Sequence, residues 1–210
     1  MSENWFDEFK ERWLARGSSE PELHFQRGER LLEEGKPELA IVEYDAATRL
    51  NPNHKQAYAH KGFALRALAR YDEALATLDQ AIALDARYAW ALDERGAVFV
   101  DREEYDRALV EYDRAIAADP QFKWAYANRG STLRNLRRYD DALAALDQAI
   151  ALDPGYAWAL NERGAVYADR KEYDRAVSEY TRAIAALNRG SAAIARVYSE
   201  TARSYSFRSA

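Results

Sequence analysis

Five glycines, Gly28, Gly62, Gly96, Gly130 and Gly164, stand 34 residues apart, and each is followed 12 residues later by an alanine: Ala40, Ala74, Ala108, Ala142 and Ala176. A period of this length with small residues at fixed phase restricts the chain to a stack of helix pairs, because one such unit can bury a core only against its neighbours. A second alanine row, Ala47, Ala81, Ala115, Ala149 and Ala183, follows seven residues further on. Small side chains at these points mark where two helices approach closely. Larger residues fill the space between, at position 11 of the unit (Leu31, Leu65, Phe99, Leu133, Tyr167) and at position 24 (Tyr44, Leu78, Tyr112, Leu146, Tyr180). Pro52, Pro120 and Pro154 at position 32 end the second helix, since proline lacks a donor and disfavours helix in the residue before it.

Aligned on the glycine, the units run 21–54, 55–88, 89–122, 123–156 and 157–190 without insertion. The pattern resembles the tetratricopeptide repeat, which places an aromatic, Leu-Gly, Tyr, Ala, Phe, Ala and Pro along 34 residues; Tyr126-Ala-Asn-Arg-Gly130 carries its opening, and Tyr71, Tyr105, Tyr139 and Tyr173 its turn. The resemblance implies an all-α, right-handed helix-turn-helix solenoid of five units over 19–190. Departures are mild: His24, Leu92 and Leu160 replace an aromatic, and Ala86 and Asn188 replace the closing proline. A second period is superimposed, because Tyr88–Gly96 recurs almost unchanged as Tyr156–Gly164, so a 68-residue block has duplicated.

Two flanks complete the chain. In residues 1–18, Trp5, Phe6, Phe9, Trp13 and Leu14 share one helical face, which suits a helix that lids the first unit or docks into another copy of the protein. In residues 191–210, Ile194, Val197, Tyr198, Thr201 and Tyr205 continue a helical stripe as a capping helix would, and Arg189, Arg196 and Arg203 recur every seven residues.

Composition limits the function. A net charge of −5 argues against the broad basic surface that nucleic acid requires. The absence of cysteine removes disulfides, thiolate metal sites and thiol nucleophiles. The first ten residues carry Glu3, Asp7 and Glu8 without an apolar run, and no apolar stretch is long enough to span a bilayer, so a cytoplasmic protein without membrane association is expected. Three histidines, His24, His54 and His60, form no metal-binding or triad spacing, and no phosphate loop or nucleophile elbow is present. Neither catalysis nor a cofactor is expected.

Binding is the remaining class, and the resemblance assigns a ligand groove to positions 2, 5, 6, 9, 12 and 13 of the first helices. Position 2 holds Trp90, Trp124 and Trp158, either packed over the seams between units or presented as anchors. At these positions stand eight acids, Glu22, Glu29, Glu33, Asp93, Glu94, Asp101, Glu162 and Asp169, against two bases, Arg66 and Arg134, a balance of −6. The expected partner is therefore a peptide or protein segment with Lys or Arg beside apolar residues, with Asn128 able to hold its backbone. The chaperone carboxylate clamp of the family is not matched, because Phe25, Glu29, His60, Trp90 and Glu94 stand in its places. The runner-up is a scaffold that self-assembles through residues 1–18. Position 7 is basic in every unit (Arg27, Lys61, Arg95, Arg129, Arg163), which points to architecture, with acids such as Asp85, Asp119 and Asp153 as the expected partners.

Overall fold

The structure is a computed structural model that describes residues 19–206, with side chains described through Arg189. The aromatic segment from Trp5 to Leu14 lies outside the described residues. Among those described, the chain is all α: α1 (Glu20–Glu33), α2 (Pro37–Leu50), α3 (Lys55–Ala67), α4 (Tyr71–Leu84), α5 (Ala89–Asp101), α6 (Tyr105–Ala118), α7 (Lys123–Asn135), α8 (Tyr139–Leu152), α9 (Ala157–Asp169) and α10 (Tyr173–Ser206). The chain divides into two compact units, the first ending at Asp119 with α1–α6 and the second beginning at Pro120 with α7–α10. In each, consecutive helices pack as hairpins, and each hairpin packs on the next.

The glycine row sets the closeness of every hairpin. A Cβ at Gly28 would lie 2.4 Å from the Tyr44 ring, at Gly62 2.6 Å from Leu78 Cγ, and at Gly164 2.7 Å from the Tyr180 ring. No side chain fits there, so the first helix rests on the residue at position 24. The two alanine rows are buried beside it. In the first unit, Phe25, Ala40, Tyr44, Ala47 and Ala57 form one cluster, and Phe99, Ala108 and Tyr112 another.

Two kinds of punctuation separate the helices. Each first helix ends at position 15 in a left-handed residue: Gly35 (φ 71°), Ala69 (56°), Glu103 (60°), Arg137 (57°) and Lys171 (63°). At Ala69 the backbone closes a Schellman motif, with Arg70 N–H donating to Leu65 O (2.9 Å) and Ala69 N–H to Arg66 O (2.9 Å). Second helices of the inner repeats stop at an extended aspartate, whose carboxylate accepts from a backbone N–H two residues on: Arg87 N–H to Asp85 (3.0 Å) and Gly155 N–H to Asp153 (2.9 Å). The fifth repeat has Leu187-Asn188 in place of that Asp-Pro stop, and α10 runs on for 34 residues. The sequence-derived border at residue 190 therefore falls inside a helix.

The basic row at position 7 finds different acids from those expected. Arg95 binds Asp79 (2.6 Å) of the preceding repeat and Glu111 (2.7 Å) of its own second helix. Arg163 repeats this with Asp147 and with Glu179 (2.7 Å), and Lys61 meets Asp45. Asp85 and Asp153 are taken by the lysines at position 1, Lys55 (2.6 Å) and Lys123. Glu111 and Glu179 are buried, so a largely desolvated carboxylate of its own repeat fixes each such arginine while an exposed aspartate ties it to the preceding one.

The shared left-handed turn yields a paired test. Glycine carries no Cβ penalty in that region, whereas other residues cost about 1–2 kcal/mol there. Gly35→Ala should therefore lower stability by about 1 kcal/mol, and Ala69→Gly should raise it, by less because glycine also loosens the unfolded chain. Urea unfolding midpoints measure both.

Candidate functional site

The first helices carry the candidate residues on one stripe. In α5, Trp90, Glu94 and Asp101 are four and seven residues apart, and in α9 Trp158, Glu162 and Asp169 repeat that spacing, so each trio shares a helix face. Trp124 and Asn128 stand likewise on α7, with Arg134 toward its C-terminal end.

In the first unit this face is largely filled by the protein itself. Trp90 is half-buried and stacks on His60, with ring centroids 4.4 Å apart at 38°, and lies near Phe63 (6.3 Å) and Tyr88 (6.2 Å). His60 in turn meets Phe25 edge-on at 5.0 Å and 84°. Burial in this aromatic column, with a smaller effect from His54, pushes the His60 imidazole down to about 4. Below the rings, Arg66 Nη1 donates to Asp101 (3.2 Å), while its Nε faces Glu94 at 3.3 Å without hydrogen-bond geometry, both atoms being buried. Burial raises the Glu94 carboxyl above the usual carboxylate range, Arg66 pulls it back, and Asp101 adds to the rise. Asp93 is buried as well. Asp93 and Glu94 were expected to read a ligand's charge from the groove surface, but the fold withdraws both from water.

The second unit keeps the arginine and its two acids, with Asn161 in place of Asp93, and leaves the face more open. Arg134 donates to Glu162 (2.7 Å) and Asp169 (3.1 Å), the same arrangement displaced by 68 residues. Trp124 is 48% exposed and Trp158 38%. Trp124 lies 5.1 Å from Phe122, and Trp158 6.1 Å from Tyr156. Lys123 Nζ sits 5.0 Å from the Trp124 ring centre and 4.9 Å from that of Tyr156, which shows that these rings accept a cation. Asn128 is half-buried on α7.

Each arginine thus faces two carboxylates, so the acid surplus is smaller in effect than a count of charges suggests. It rests on Asp101 in one unit and Asp169 in the other, the more accessible member of each pair. The sequence reading missed the aromatic row at position 34 (Tyr88, Phe122, Tyr156) and the lysines beside it, Lys55 and Lys123. Their signal was present, since the aromatic row keeps the 34-residue phase and the lysines recur at 68 residues. Among the described residues no three His, Asp or Glu side chains gather as metal ligands, and no helix is long and apolar enough to cross a membrane.

Two stability tests follow from this geometry. His60 has a folded-state value depressed below its unfolded one, so its contribution is complete above about pH 6.5 and is lost as pH falls toward 4, by about 3 kcal/mol. The wild type should lose that much more than His60→Phe between pH 7.5 and pH 4 in urea titrations. Arg66→Met strands the Glu94 carboxylate and should cost about 3 kcal/mol, most of which Arg66→Met combined with Glu94→Leu restores. The exposed pair Arg102–Asp72 should be worth less than about 1 kcal/mol in the same double-mutant cycle.

Models of the tetratricopeptide repeat match residues 25–89, 96–136 and 124–156. A 53-residue stretch is 36% identical to an uncharacterised protein of Methanocaldococcus jannaschii, MJ0572, and covers 62% of that protein and 25% of this chain. Among solved structures, the thermophilic tetratricopeptide protein TTC0263 of Thermus thermophilus superposes with a TM-score of 0.73 at 21% identity, over 85% of this chain and 97% of its own. MamA of Desulfovibrio magneticus does so with a TM-score of 0.64 at 22%, over 81% and 97%. YrrB, described as a tetratricopeptide protein with an unusual peptide-binding site, gives 0.56 at 23%, over 83% and 90%. The phased glycine contacts, the helix hairpins and these matches together show that the chain belongs to the tetratricopeptide-repeat family.

Proposed function

We propose that this protein is a cytoplasmic adaptor that binds a partner's segment on the first-helix face of the second unit, reading an apolar or aromatic side chain next to Lys or Arg. The observation that carries this reading is a difference between the two duplicated blocks. In the first unit Trp90 is covered by His60 and lies near Phe63. The residues at the corresponding positions 68 further on are Asn128 and Ser131, which bring no ring. The first unit displays an aromatic stacked on this tryptophan from within; the second provides the tryptophan with part of its surface exposed and lets a ligand supply the ring.

The chemistry around that place fits a cationic neighbour. Asp169 is half-exposed, and Glu162 next to it shares Arg134, so the pair retains one negative charge in excess. Trp124, together with Tyr156, already holds Lys123 over its ring, and a ligand's Lys or Arg can use the open part of the same surface. Asn128 offers a carboxamide for the backbone of an extended segment. Trp90, Asp93, Glu94 and Asp101 stabilise the first unit in this reading and contact the ligand less. The family supports a role in holding proteins together, and YrrB shows that a relative in fold can bind peptide. No chemical step is part of the proposal.

A peptide display selection on the full chain should enrich aromatic or aliphatic residues adjacent to Lys or Arg. Trp158→Ala and Trp124→Ala should each weaken the selected peptide by about 30-fold, and affinity should fall with added salt. Selection of acidic peptides, or equal binding by the doubly substituted protein, would remove this function.

A further inference from the structure

The first repeat differs from the other four along one edge of its second helix. At position 19 the later repeats carry Glu73, Arg107, Asp141 and Arg175, and at position 26 Gln80, Arg114, Gln148 and Arg182; the first repeat has Leu39 and Ala46 there. With Val42 and Leu50 these two make an unbroken apolar stripe on α2, spaced three, four and four residues apart. Leu39, Val42 and Leu50 are exposed. Ala46 is only 8% exposed, although position 26 is exposed in every other repeat and the outward alanines Ala76, Ala144 and Ala185 are exposed as well.

That edge of a second helix has a defined neighbour inside the stack. Arg107, Val110 and Glu111, at positions 19, 22 and 23 of α6, border the same hollow as Leu75 and Asp79 of α4, so the edge looks toward the second helix of the preceding repeat. What precedes the first repeat in the chain is residues 1–18. They join it at the right end. Ser19, the N-cap of α1, and Asn51, the C-cap of α2, border one hollow, so the chain enters α1 beside the Leu50 end of the stripe. The apolar face of Trp5, Phe6, Phe9, Trp13 and Leu14 also has a suitable length: as a helix, residues 5–14 measure about 15 Å, against about 18 Å for residues 39–50. Residues 15–18, with Gly17 among them, remain for the turn into α1.

We infer that residues 5–14 pack as a helix along the Leu39, Val42, Ala46 and Leu50 edge of α2 in the same chain, in the place that the second helix of a preceding repeat would take. The connection sets the direction. Leu14 lies at the Leu50 end and Trp5 toward Leu39, so the segment runs parallel to α2 and antiparallel to α1. The occupant is the chain's own segment for two reasons. A four-residue linker holds it at an effective concentration far above that of any free partner, and the edge is apolar in the one repeat that the segment adjoins. The segment thereby closes the start of the stack instead of joining copies to one another. This inference is independent of the ligand assigned to the second unit.

The test is tryptic cleavage of the full chain after Lys10, Arg12 and Arg16 under native conditions, followed by mass spectrometry. Cleavage needs the segment to leave α2, so its rate follows the detached population. Leu39→Glu with Ala46→Arg gives the edge the residues that the second repeat carries at position 19 and the third and fifth at position 26, so helical circular dichroism should be kept. Cleavage should nevertheless become about 30-fold faster. Phe9→Asp with Trp13→Asp leaves the repeats unaltered and should have the same effect. The slow wild-type rate should be equal at about 1 µM and about 100 µM. Wild-type cleavage as fast as in both variants, or acceleration in only one of them, overturns the assigned packing. Protection found only at the higher concentration gives the segment to a second copy and overturns it as well.

Discussion

The fold depends on one contact made five times: a first helix resting its glycine on the side chain at position 24 of the second. With Cβ separations of 2.4–2.7 Å implied at Gly28 and Gly164, that surface tolerates no added atom without displacement of a buried ring. Close approach brings the alanine rows into register and fixes the angle at which each hairpin presents its first helix. The position of Trp158 is therefore set by packing on the far side of its helix, at Gly164, rather than by anything on the binding face.

Charge organises what packing leaves undecided. Arg95 and Arg163 each join an acid of the preceding repeat to a buried glutamate of their own, and at the candidate groove Arg66 and Arg134 each bind two acids of the following repeat. Both sets recur at 68 residues, so they belong to the duplicated block. Against this common background the substitutions His60 to Asn128 and Phe63 to Ser131 are differences between the blocks, and differences are where a binding preference can reside.

The architecture was legible in the sequence because its determinants are local and periodic: a glycine, two alanines and a large residue at constant phase leave few other arrangements. The site was less legible. Whether a tryptophan at position 2 is covered depends on residues at positions 6 and 9 of the preceding repeat, so Trp90 and Trp158, nearly identical in local sequence, differ in surroundings. The position 7 bases were assigned the wrong acids because Asp85 and Asp153 are nearer in the pattern, whereas helix geometry directs the long side chain to position 25 of the preceding repeat. The length of α10 turned on the two residues Leu187-Asn188, a change that the repeat alignment treats as a minor departure.

The alternation at position 24 carries a further consequence. Tyr44, Tyr112 and Tyr180 occupy the odd repeats and Leu78 and Leu146 the even ones, and Tyr44 reaches across to His60 of the next repeat at 5.9 Å. In that pair a tyrosine-bearing repeat is fitted to a leucine-bearing one. Insertion or loss of a single repeat would set two like units side by side with unmatched seams. A change of two repeats keeps the alternation, and the 68-residue recurrence has that step.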